Sequence, residues 1–109
     1  MRAETLKGHL DFLLLAIVAA EPAHGYRIIE TLKLRSGGAF DLPEGTIYPA
    51  LHRLEQKRWL RAEWKQSETG REAKFYSLTA AGRKQLAVEK DSWARLSGAV
   101  KLIFEEGSR

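Results

Sequence analysis

The sequence predicts a mainly helical α+β fold: a winged helix-turn-helix with a two-stranded wing, followed by a C-terminal dimerisation helix. Three observations predict it. Apolar residues recur at helical spacing in four segments. Between the third and fourth of these, two segments alternate apolar with polar residues across a polar turn, which is the pattern of paired strands. The third helical segment, residues 44–55, has one apolar face and an opposite face of Tyr, Pro, His and Arg, and the strands follow it at once. A helix presenting polar and basic groups, followed directly by a β-hairpin, is the arrangement by which a winged helix meets DNA.

Each element has a residue-level reason. Leu6, Leu10, Leu13, Leu14 and Ile17 fall at helical spacing, and Phe12, Leu15, Ala16 and Val18 fill the other faces. A helix apolar nearly all round must be covered on most sides, and a chain of 109 residues has few elements for this, so a partner subunit is expected to help. Pro22 stops the helix by disfavouring helical geometry at the preceding residue. A second helix is predicted over 24–36, with Tyr26, Ile28, Ile29 and Leu32 inward and Arg27, Glu30, Lys33 and Arg35 outward. Gly37-Gly38 ends it in left-handed geometry, and residues 38–43 form a short loop.

The third helix starts at either Glu44 or Thr46. Ile47, Leu51 and Leu54 face the core, with Gly45, Pro49, His52, Arg53 and Gln56 opposite. If Thr46 is the N-cap, Pro49 lies in the first turn, where its missing N–H costs nothing; an earlier start would make Pro49 bend the helix. Leu60, Ala62 and Trp64 alternate with Arg61, Glu63 and Lys65 as a half-buried strand. Lys74, Tyr76 and Leu78 alternate with Ala73, Phe75 and Ser77 as its partner. Residues 66–71 are too long for a two-residue hairpin turn and form a protruding loop, the wing. Thr79 caps the last helix, in which Leu86, Trp93, Leu96, Val100 and Ile103 occupy a and d positions, with Glu89 the one polar d position. Such a seam, with no later element to cover it, asks for a second chain. Residues 1–79 are thus read as the DNA-binding domain and 80–109 as the dimerisation helix, fraying after Phe104.

Composition narrows the chemistry. The net charge of +4 is a mild basic bias that suits a phosphate-facing surface. The absence of cysteine excludes disulfides, thiolate catalysis and Cys-ligated zinc. His9, His24 and His52 form no metal spacing, and neither metal nor cofactor is expected. No G-x-S-x-G elbow, phosphate loop or H-E-x-x-H is present, which argues against an enzyme. The first apolar stretch, residues 10–20, is shorter than the roughly 20 residues a membrane span needs. It also holds Asp11 and ends at Glu21-Pro22, unlike a signal peptide, so a cytoplasmic protein without membrane contact is expected.

His24-Gly25-Tyr26, then Gly45-Thr46-Ile47-Tyr48-Pro49-Ala50-Leu51, then Lys74-Phe75-Tyr76 and Leu78-Thr79-Ala80-Ala81-Gly82 follow one another in an order and spacing that resembles the PadR family of bacterial transcriptional regulators, in its short form with a single C-terminal helix. The resemblance runs over about residues 10–93. It implies a winged helix-turn-helix, a homodimer, and repression from a pseudo-palindromic operator, with release by a phenolic acid, a drug-like hydrophobe or another cue. Two positions depart from the family. Arg58 stands where a glycine is usual, so the third helix is expected to end differently or to bear about 1 kcal/mol or more of left-handed strain. The wing, Gly70-Arg71-Glu72-Ala73-Lys74, is less basic, and Glu72 repels phosphate.

The expected partner is double-stranded DNA. Arg53 is placed to read guanine and His52 to touch a base or a phosphate. Tyr26 and Tyr48 carry hydroxyls suited to phosphate oxygens, and Thr46 sits where free helix N–H groups attract an anion. Arg71 at the wing tip is expected to lie along, or in, the minor groove, and Pro49, Lys65, Thr69, Gly70 and Lys74 complete the surface. Plainer roles compete: a solvated face for Arg53 and His52, packing for Tyr48, a mostly core position for Tyr26, and wet surface for Lys57, Arg58 and Arg61. Trp93 is either dimer packing or the flat wall of an aromatic effector's pocket, lined as well by Phe12 and Leu15. The alternative function is a winged-helix module that binds protein rather than DNA. Arg53, Lys65, Arg71 and Lys74 weigh against it, and Glu68 and Glu72 for it.

Overall fold

Leu14, Leu15, Ile17 and Val18 are buried along one central helix, and the remaining elements are arranged around it. In the computed structural model, which describes residues 9–106, this helix is α1, Leu10–Ala20. It is packed on by three later helices and by a strand of the same chain. Those four residues are thus covered within the chain itself, while Leu10, Phe12 and Leu13 on the same helix stay partly exposed. Leu6 lies outside the described residues. Glu21 leaves the helix in extended geometry (φ −166°, ψ 152°), as a residue before proline must.

Strand β1, Ala23–His24, was not foreseen. It pairs antiparallel with a later strand, Ala23 opposite Tyr76 and His24 opposite Phe75, and completes a three-stranded sheet in the order β1-β3-β2, where β2 is Leu60–Gln66 and β3 is Glu72–Leu78. Helix α2, Gly25–Arg35, follows directly, and the His24 ring accepts a hydrogen bond from the Arg27 N–H at 3.2 Å as its N-cap. Ile28 and Leu32 are buried, with Ile29 partly so. Tyr26, expected mostly in the core, is 64% exposed. Two residues at about 100° each carry it nearly opposite Ile28 round the helix. The helix ends as predicted: Gly37 N–H reaches the Leu34 carbonyl and Gly38 N–H the Lys33 carbonyl at 2.8 Å.

Helix α3, Glu44–Gln56, starts at the earlier of the two expected positions, with Pro43 as N-cap. Thr46 is therefore inside the first turn, and its N–H, like that of Ile47, is already given to the Pro43 carbonyl. Pro49 is the sixth helical residue, not a first-turn one, and it leaves the Gly45 carbonyl without its usual donor. Ile47, Ala50, Leu51 and Leu54 are buried.

The end of α3 shows what Arg58 does. It adopts φ 63°, its N–H reaches the Glu55 carbonyl, and Trp59 N–H reaches the Leu54 carbonyl. This is the ending a glycine would make, so the departure changes the strain and not the geometry. The strain is held in place by the start of the last helix, α4, Ala80–Glu106. Thr79 Oγ1 donates to the Arg58 carbonyl at 2.7 Å and accepts from Gly82 N–H at 2.9 Å, capping the last helix while binding the end of α3. A Cβ on Gly82 would collide with the Trp59 carbonyl oxygen, so only glycine lets the two backbones meet there.

Strands β2, Leu60–Gln66, and β3, Glu72–Leu78, pair from Leu60 opposite Leu78 to Gln66 opposite Glu72. Leu60 and Tyr76 are buried as the alternation predicts, but Trp64 is 66% exposed. By Trp64 the strand has run beyond the body of the domain, and neither of its faces has a core to meet. The wing closes through Ser67 N–H to the Arg71 carbonyl at 2.7 Å and Gly70 N–H to the Ser67 carbonyl at 2.9 Å.

Helix α4 runs from Ala80 to Glu106, past Phe104, where fraying was expected. Its 27 residues extend about 40 Å at 1.5 Å each and account for the molecule's elongated 59 × 28 × 21 Å form. Leu86, assigned from the heptad to the dimer seam, is 4% exposed and belongs to the core of its own chain. Trp93, Leu96, Val100 and Ile103 are exposed. Among the described residues no helix is long and apolar enough to cross a membrane.

Candidate nucleic-acid interface

The buried residues of α3 fix where its outer face lies. Opposite Ile47, Ala50, Leu51 and Leu54, at about 100° per residue, runs a line through Gly45, Pro49, His52 and Gln56, all exposed. Tyr48 and Glu55 occupy one flank of that line; Arg53 and Lys57 occupy the other.

The flank with Tyr48 faces the wing. The Tyr48 ring packs on Gly25 so closely that a Cβ at residue 25 would collide with it, which explains why α2 opens on glycine. The ring is still 39% exposed, so packing and accessibility coexist at this residue. Partial burial, then the nearby Glu44 carboxylate, push the Tyr48 phenol above its usual range and keep it a neutral O–H donor. Glu55 accepts a hydrogen bond from Lys74 Nζ at 2.9 Å. That bond raises the Lys74 pKa, and the Tyr76 ring centroid lies 5.6 Å from the same ammonium. Lys74, expected to attract phosphate, is thus engaged in tying β3 to α3. Burial also raises the Tyr76 pKa. Tyr26, Tyr48, Trp64, Lys74 and Tyr76 line one shallow depression of about 360 Å³ at the base of the wing.

The other flank faces the start of α1. Arg53 Nη2 lies 2.5 Å from Asp11 Oδ1, and Lys57 Nζ lies 4.0 Å from Asp11 Oδ2. Arg53 is therefore drawn to the side of α3, away from the outward line on which a guanine-reading arginine was expected. His52 and Gln56 hold that line instead. Gln56, one turn after His52, was placed on this outer face by the sequence but not among the candidate contacts.

On the wing, Arg71 is exposed and has no ion pair or hydrogen bond from its side chain among the described residues. Thr69 Oγ1 meets Ser67 Oγ at 3.0 Å, Gly70 takes φ 85°, and Lys65 Nζ sits 4.7 Å from the Phe75 ring centroid. Arg27 bridges Glu68 at 3.6 Å and Glu21 at 3.7 Å, so one of the two wing acids is partly neutralised by α2.

Of the residues expected to line an effector space, Leu15 does not fit: it is fully buried in the core of α1. Phe12 is half-buried and Trp93 is 51% exposed. His9, not anticipated, connects them, with its ring 6.2 Å from each and edge-on to both. No group of three or more His, Asp or Glu among the described residues could hold a metal ion.

Comparison with known proteins agrees with this architecture. The profile described as "Transcriptional regulator PadR-like family" matches residues 14–88. A PadR-like transcription factor from Bacteroides fragilis is 34% identical and superposes with a TM-score of 0.76 over 93% of this chain and 95% of that one. A PadR-like transcriptional regulator from Bacillus cereus is 30% identical, with a TM-score of 0.83 over 94% and 97%. A protein of unassigned function from Lysinibacillus sphaericus is 28% identical across 96% of both chains.

Proposed function

The chain belongs to the PadR-like family of transcriptional regulators, DNA-binding proteins and not enzymes, and from that premise we propose that it is a cytoplasmic homodimeric repressor that seats two α3 helices in successive major grooves of a pseudo-palindromic operator. The observation that carries this reading is the exposed outer line of α3, Gly45, Pro49, His52 and Gln56, together with the exposed Arg71 of the wing. His52 and Gln56 read base edges, the carboxamide of Gln56 being suited to the paired donor and acceptor of adenine. Tyr26, Tyr48 and Thr46 donate hydroxyls to phosphates, and Lys65, Thr69, Gly70 and Arg71 follow the backbone and minor groove. The dimer forms through Trp93, Leu96, Val100 and Ile103, placing the two α3 helices about 34 Å apart, one turn of DNA. A planar hydrophobic effector lodges against Trp93, Phe12 and His9 between the subunits and releases the DNA.

A gel shift on the DNA upstream of the protein's own gene tests the reading. It predicts a saturable complex that survives excess random duplex and is lost on adding an aromatic compound that quenches Trp93 fluorescence. A protein that binds no DNA at low ionic strength, or binds all duplexes equally, overturns it.

A further inference from the structure

On the wing-side flank of α3, the lysine comes from β3 and the carboxylate, Glu55, from α3 itself. On the opposite flank the polarity is reversed. Arg53 on α3 and Lys57, the residue that caps its C-terminus one turn later, converge on a carboxylate 42 residues earlier in the chain than Arg53. Lys57 is further held on this flank with its ammonium 4.7 Å from the Trp59 ring centroid. Side-chain exposure is 49% at Arg53, 45% at Lys57 and 28% at Asp11, so water and solutes reach the cluster. Ion pairs this exposed add little to folding stability.

Its position gives it a use. A helix seated in the major groove has a phosphate backbone along each flank. One carboxylate shared between two cations imitates a single phosphate, whereas a backbone offers each cation its own. We propose that Asp11 is an internal substitute for DNA phosphate: it occupies Arg53 and Lys57 in the free protein and yields them only when α3 is fully seated. The proposal rests on the DNA-binding reading of α3 and goes beyond it by assigning a residue of α1 the task of holding down non-specific affinity. In loose, sequence-independent encounters α3 is not seated, the two cations stay with Asp11, and they neutralise no phosphate. Asp11 is a positioning residue here, since it acts through Arg53 and Lys57.

The test compares wild type with Asp11→Asn, Asp11→Glu, Asp11→Asn/Arg53→Gln and, as a control of equal charge change, Asp91→Asn. The control removes the acid of an exposed Asp91–Arg95 pair on α4. Binding to a random-sequence duplex is followed against salt, and elution from heparin is recorded in parallel. Asp11→Asn is expected to bind random duplex roughly 5- to 10-fold more tightly, with a salt slope steeper by about 1 to 2, each freed cation adding ~0.9. Asp11→Glu should restore wild-type behaviour, Arg53→Gln should cancel about half of the gain or more, Lys57 accounting for the rest, and Asp91→Asn should give little. Equal effects of Asp11→Asn and Asp91→Asn, or a gain left undiminished by Arg53→Gln, overturn the proposal. Asp11→Ser serves if the asparagine variant melts early. If wild type binds no duplex, the DNA-binding reading fails on its own, and heparin elution still decides whether Asp11 masks the two cations.

Discussion

The two halves of α4 carry one heptad pattern and have opposite surroundings. In the first half, Leu86 is buried against its own chain, and Thr79 and Gly82 bind the helix to the end of α3. In the second half, Trp93 and Leu96 are each about half exposed, and Ile103 more so. The same periodicity thus closes a core at one end and leaves an open seam at the other. A heptad tells which stripe will be buried, but not by whom.

The comparison is sharpened most by cutting each half separately. Leu86→Ala should destabilise the folded chain by about 2–5 kcal/mol, a loss seen in urea melts that does not depend on protein concentration. A loss under 1 kcal/mol would mean that Leu86 is not a core residue and that the distinction between the halves is false. Leu96→Glu with Ile103→Glu should leave the far-UV spectrum nearly intact but turn a dimer into single chains at micromolar concentration, read by sedimentation velocity. Dimers that persist would put the interface elsewhere.

Arg58→Gly probes the junction that anchors the first half. Relief of the left-handed strain should raise stability by about 1 kcal/mol, with Thr79 still bonded to the backbone carbonyl. Destabilisation would show that the Arg58 side chain contributes more than its strain costs. The smallest effect belongs to the second half, through the number of wings it brings to one duplex. Arg71→Ala should lower the salt slope of DNA binding by about 2 in the dimer and, read at low salt where single chains still bind, by about 1 in the seam-broken variant, at ~0.9 per phosphate contact. Equal changes in both would uncouple the wing from dimerisation.

Much of this was legible in the sequence because it depends on neighbours along the chain. The inward residues of α3, the Thr79 cap, the Gly37-Gly38 ending and the stop at Pro22 follow from local spacing and backbone chemistry. What escaped depends on contacts across the chain. Strand β1 is two residues long and has no period to detect; it exists because Tyr76 and Phe75 lie opposite it. Trp64 kept the strand alternation but left the domain's body. Tyr26 turned outward because the inward face of α2 is the one on which Ile28 and Leu32 meet the core, a phase that local spacing left open. Arg53 looked free until α1 brought Asp11 beside it, a pairing no spacing rule reveals.

The central claim is that two copies, joined through the distal half of α4, present paired α3 helices and wings to one duplex. Sedimentation velocity of the protein with a labelled duplex from upstream of its own gene, at about 0.1 M salt, tests this most directly. The account predicts two chains per duplex with wild type, and no stable complex with the Leu96→Glu/Ile103→Glu variant under the same conditions. One chain per duplex, or a complex that forms equally well after the seam is broken, would contradict it.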